Sequence, residues 1–178
     1  RSSSPAVGTL SAGDIAIVGY DDGADVFAFV PFVNLAAGTT IYFTDNGWDQ
    51  TLNAGAGGFR GATATNGEGS EDFMKYVAPA AIPAGTIIYS NSPGFVTGAI
   101  PGATTGVFGT SLAFAAAADQ VYAFQNSNVN NPMFNVGTIT HLFVFDDTNA
   151  FEDATSAAQG NIPPGLTLGV TANTFPNS

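Results

Sequence analysis

A chain of 178 residues, 45% hydrophobic and only 10% charged, has material for one substantial core and a surface made polar by Ser, Thr, Asn and Gly. Its formal charge is −11, with Arg1, Arg60 and Lys75 the only Lys or Arg, which excludes phosphate-neutralising contact with nucleic acid and docking on anionic membranes. There is no Cys for disulfides or thiolate chemistry, and no apolar run approaches the roughly 20 residues of a membrane span.

Residues 1–12 are small and polar with a weak alternation, and Pro5 keeps them extended. The segment Ser3-Ser4-Pro5-Ala6-Val7-Gly8-Thr9-Leu10 is expected to be an arm that adds as a strand to a neighbouring subunit. Ser11-Ala12-Gly13 separates it from a single domain over 13–178. The Ser-rich start, Arg1 to Pro5, fits a mature N-terminus left by cleavage of a leader. With so little Lys and so much Thr, Asn and Gly, the composition suggests a secreted bacterial protein.

Three apolar runs follow, Ile15–Val18, Val26–Val33 and Thr39–Phe43, each rich in Val, Ile, Phe and Thr and bounded by turn formers. Their length and composition predict strands. Val26–Val33 is apolar throughout and is expected to be buried on both faces, with Pro31 marking a bulge or edge. Residues 46–70 hold little core material beyond Trp48, Leu52 and Phe59, and a loop of that length is usually functional or an interface. Further strands are expected at Asp72–Val77, Gly85–Ser90, Gly106–Phe114, Asp119–Gln125, Gly137–Phe145 and Leu166–Val170. Ala113–Ala118 and Asp147–Ala158 are the places for a helical turn. An apolar residue, a Gly-containing turn and a new strand recur at Leu35–Ile41, Ile82–Ile88 and Ile162–Leu168; reversals with Gly at φ > 0 account for the echo. Short strands between turn signals predict an all-β fold, an antiparallel β-sandwich of jelly-roll type.

The stretches AGDIAIVGYDDGADVFAFVPFV (12–33), AGTTIYFTDNGWD (37–49), GGFR (57–60) with Glu68-Gly69, IPAGTIIYS (82–90), AADQVYAFQ (117–125) and IPPGLTLG (162–169) resemble a β-rich module. That module recurs in secreted and surface proteins of cyanobacteria and other aquatic bacteria, sometimes beside calcium-binding repeats. More loosely, the chain is similar to protomers of extracellular fibrils held by strand exchange.

Oxygen-rich side chains collect where strands end. Asp21, Asp22 and Asp25 surround Gly23, Asp45 and Asp49 flank Gly47, and Glu68 stands beyond the long loop. Calcium takes six to eight hard oxygens from carboxylates and turn carbonyls, so these six residues form the expected Ca2+ site if the junctions converge. The competing expectation is that the acids only close Asx-turns. Asp146-Asp147 with Glu152 and Asp153 is expected to be a solvated turn. Trp48 is either a loop anchor or a sugar-stacking platform. His141 falls on the side of Ile139, Phe143 and Phe145 and is expected to be a packed residue; with no second His and no Cys it makes neither a zinc site nor a catalytic triad. The expected function is a structural subunit of an extracellular bacterial fibril, joined head-to-tail to identical subunits. The alternative is a calcium-dependent adhesion or carbohydrate-binding module with glycan partners, and a carboxylate-based glycoside hydrolase is the minor third class.

Overall fold

β1 (Ile15–Asp21) and β2 (Val26–Pro31) form an antiparallel hairpin, and its pattern of Ile, Val and Phe faces a second sheet. The computed structural model describes residues 5–62, 73–91, 94–97, 112–114, 119–134, 139–148, 150–151 and 160–175, with backbone only for 91 and 94–97. The remaining strands are β3 (Thr40–Thr44), β4 (Trp48–Asp49), β5 (Gly58–Phe59), β6 (Phe73–Val77), β7 (Ile88–Asn91) and β8 (Gly94–Thr97). They are followed by β9 (Gln120–Asn126), β10 (Ile139–Asp146) and β11 (Ala172–Thr174). The fold is nearly all β. One sheet has the order β1-β2-β7-β8 and the other β11-β10-β9-β3-β6. Neighbours are antiparallel except β10 and β11, which run parallel. No helix among the described residues is long and apolar enough to cross a membrane.

The main core lies between the two sheets. Ile15, Ile17, Phe27, Phe29 and Ile88 from the first meet Ile41, Phe43, Tyr76, Val121 and Phe143 from the second. Phe43 sits against both Phe27 and Phe29, with ring centroids 4.9 and 4.8 Å apart. The far side of the five-stranded sheet carries a second aromatic core, Tyr42, Trp48, Phe59, Phe73, Tyr122 and Phe124. The β4–β5 hairpin contributes Trp48 and Phe59 to it, so the middle strands of this sheet are buried on both faces.

β2 is different from the expectation. Phe27 and Phe29 are buried while Ala28 and Val30 are half-buried, so it alternates and has one core face. The five-stranded sheet, not β2, is the two-sided layer. The expected strand over Leu166–Val170 is instead a pair of turns. Leu166 N–H donates to Pro163 O, Val170 N–H to Thr167 O, and Gly169 has φ of 78°. The strand begins two residues later, at Ala172. The three echoed turns do share one geometry. Gly38, Gly85 and Gly165 have φ of 82°, 86° and 88°, each inside an i-to-i+3 bond from Thr39, Thr86 or Leu166. The first two also pair with each other through Leu35 N–H to Ile82 O and Ile82 N–H to Leu35 O. The expected strand Gly106–Phe114 and both expected helical turns lie largely outside the described residues. The helical turn that is described, α1 (Leu52–Gly55), has left-handed φ at Asn53 and Ala54.

Two bulges reset which side chains face inward. In β1, Val18 is the extra residue between the Ile17–Phe29 and Gly19–Ala28 pairs and stands 54% exposed. In β10, Leu142 is extra between His141–Phe124 and Phe143–Ala123. A bulge inserts one residue and shifts the period-2 phase beyond it. Leu142 and Phe143 therefore both face the main core, and His141 faces the opposite side from Phe143 and Phe145. That reverses the grouping expected from simple alternation.

Candidate functional site

Two places gather polar chemistry: the acidic end of the sandwich and the groove where the N-terminal segment lies. At the acidic end the β1–β2 turn, the end of β3 and the start of β9 converge. Asp21 Oδ1 accepts from Ala24 N–H at 3.1 Å, an Asx-type closure of the turn. Asp25, in the left-handed region with φ of 54°, accepts from Phe114 N–H at 2.7 Å. Asp45, buried at the end of β3, accepts from Ala113 N–H at 3.1 Å. The two junctions do meet, and what they hold in this structure is a pair of consecutive backbone amides. Asp22 stays in the turn. Asp49 is engaged in the hairpin, accepting from Thr51 N–H and Oγ1 and from Arg60 Nη2 at 2.7 Å. The Thr51 hydroxyl above all, with Arg60, holds the Asp49 carboxyl below the usual range despite burial. Glu68 lies outside the described residues. Among the described residues no three His, Cys, Asp or Glu side chains are grouped to hold a metal ion.

Asp146 and Asp147, expected in a solvated turn, are buried. Asp119 N–H donates to Asp147 Oδ1 at 2.8 Å and Asp147 N–H returns a bond to Asp119 O, so the strand start and strand end are tied together. Glu152 and Asp153 lie outside the described residues. The Tyr20 hydroxyl faces this pair. Its pKa is pushed well above the ordinary value, first by burial and then by the carboxylates of Asp119 and Asp147. The signal for this pair in the sequence was the Asp-Asp that directly follows the apolar Leu142–Phe145 run.

Trp48 is 2% exposed and packs edge-on against His141 at 4.4 Å and Phe59 at 5.1 Å. It anchors the hairpin and offers no face for sugar stacking. Burial lowers the His141 pKa from 6.5 to about 3, so the imidazole is neutral at physiological pH.

The N-terminal segment follows its own domain from Val7 onward. Val7 N–H donates to Asn34 O and Val7 O accepts from Ala36 N–H, a parallel bridge beside Leu35. Leu10 enters the main core at 2% exposure. Gln125 clips the segment: its Oε1 accepts from Leu10 N–H at 2.8 Å and its Nε2 donates to Gly8 O and Thr40 O. Pro5, Ala6, Gly8 and Thr9 are exposed, and Ser3 and Ser4 lie outside the described residues. Beside the segment, at the end of the sheet opposite the acids, is a cavity of about 420 Å3. Comparison with protein-family models, with curated proteins and with solved structures finds no match to this chain.

Proposed function

We propose that the chain is a structural subunit of an extracellular fibril whose N-terminal segment is exchanged between copies. The observation that carries this is the way residues 7–10 are held. The segment's hydrogen bonds run to Asn34, Ala36, Thr39 and Gln125, all later in the chain, across an exposed Ser11-Ala12 link that Gly13 turns at φ of 86°. A neighbour's segment can make the same bonds in the same groove. Exchange of an identical element costs little, and a head-to-tail exchange that does not close propagates into a filament. On the outer face of β1, β2 and β7, Val18, Ala28, Val30 and Tyr89 are uncharged and Asp21 stands only at the turn end, which gives copies of net charge −11 a largely uncharged face on which to approach. A jelly-roll order of strands belongs to the same proposal, and an experimental structure of the fibre would test it.

Deleting residues 1–10 tests the reading by negative-stain microscopy. The expected outcome is a loss of filaments, with a folded or metastable monomer left in solution. Filaments of normal form and yield from the truncated chain would overturn it. Calcium at the acidic end is a separate proposal with its own test. A bound ion stabilises the native state by mass action, so excess chelator should lower the melting temperature of calcium-loaded protein. Coincident melting curves would remove calcium as a structural ligand.

A further inference from the structure

The groove beside the N-terminal segment has a chemistry that strand exchange does not use. Thr9 from the segment, Thr40 and Tyr42 from β3, Gln125 from β9, Ser127 after it and Thr140 from β10 line the cavity. Every described residue in its wall is uncharged. Gln125 is committed to holding the segment, and Asn126 to the following turn, where its Nδ2 donates to Pro132 O and its Oδ1 accepts from Asn128 N–H. The hydroxyls of Thr9, Thr140 and Tyr42 have no hydrogen-bond partner among the described residues. Tyr42 is 2% exposed and its hydroxyl is closed to solvent, so it lines the groove without presenting that hydroxyl to a ligand. Val129, 65% exposed, supplies an apolar patch at the rim.

We infer that this groove binds a neutral, hydroxyl-rich ligand, one or two residues of an oligosaccharide, with the docked segment as one wall. The volume of about 420 Å3 falls in the range of roughly 300–1,000 Å3 usual for small-ligand sites. An anion finds no cation in the wall and a protein charged −11 around it. A purely apolar ligand would strip water from the Thr9 and Thr140 hydroxyls and leave them unmatched. Pyranose rings offer what the wall lacks, hydroxyls along one edge and a C–H face for Val129. The inference is independent of the assembly reading, because a segment supplied by a neighbour would present the same Gly8 and Thr9.

Amide chemical shifts test it, with maltotriose and cellotriose titrated separately into the full chain. At least one should give saturable shifts centred on Thr9, Thr40, Ser127 and Thr140. Thr140→Val, which keeps the β-branched shape, should weaken that binding roughly three- to tenfold, the effect of one lost hydrogen bond, and leave filament formation unchanged. No shift with either sugar at about 20 mM, millimolar binding being the weakest useful affinity, would overturn the inference. So would shifts confined to residues outside the groove, affinity unchanged in Thr140→Val, or tighter binding of a sulfated trisaccharide.

Discussion

His141 is buried neutral between Trp48 and Phe124, and that makes it a source of acid sensitivity. Its pKa is lowered on folding. Between pH 6.5 and about 3 the unfolded chain takes up a proton that the folded chain refuses. Stability therefore falls as pH drops through that window, by up to about 1.4 kcal/mol per pH unit from this one group. Asp49 acts in the same direction at lower pH: its carboxyl is held low by Thr51 and Arg60, and that stability is lost as the carboxylate is protonated. His141→Phe should flatten the fall in melting temperature between pH 7 and pH 4; an unchanged slope would assign the acid sensitivity to the carboxylates alone. At the other end of the sandwich, Asp45→Ala removes the acceptor for Ala113 N–H from a buried site. A cost of about 1–3 kcal/mol is expected in urea unfolding. Asp25→Ala removes the neighbouring acceptor and also places Ala at a φ of 54°, so Asp25→Gly separates the lost bond from backbone strain.

The β4–β5 hairpin is the element on which the second core depends. Gly57 has φ of 84°, and a Cβ there would land on the Trp48 indole. Gly57→Ala combines left-handed strain with overpacking, each of which costs about 1–3 kcal/mol, and the indole would have to shift. Chemical unfolding followed by Trp48 fluorescence should show a lower midpoint and an altered native emission maximum. Asn161 fixes the hairpin from outside: it donates N–H to Trp48 O, accepts from Gln50 N–H through Oδ1, and its carbonyl accepts from Tyr122 Oη. The N-terminal segment hangs on fewer anchors. Gln125→Ala removes two bonds to the segment, at Gly8 and Leu10, and the bond to Thr40 O that holds the Gln125 amide in place. Hydrogen exchange at Leu10 should speed up in that variant while β9 and β10 core amides stay protected, which would mark the segment as a separate opening unit.

For the whole molecule, charge decides how closely copies approach. At −11, two subunits repel over a Debye length of about 30 Å at 0.01 M salt and about 10 Å at 0.1 M. Filament growth is expected to accelerate as NaCl rises through that range, as light scattering would follow; a rate that falls with salt would mean that charge pairing, not an uncharged face, drives assembly.

What the sequence determined by itself was local. Val, Ile and Phe at strand spacing gave β1, β3, β6, β9 and β10 within a few residues, and the Gly of each apolar-turn-strand echo announced a φ > 0 reversal, because both follow from short-range sterics. Trp48 as a loop anchor was also legible, since that stretch had little else to bury. What only the tertiary structure decided depends on partners distant in the chain. The extra residue at Leu142 rotates the later part of β10, so His141 joins Trp48 instead of Phe143. Asp25 and Asp45 look alike beside their glycines, yet their partners are amides about 70 to 90 residues away. Asp147 reads as a solvated turn until β9 arrives beside it. Burial of a carboxylate or an imidazole is set by the element that covers it, and no local pattern encodes that element's arrival.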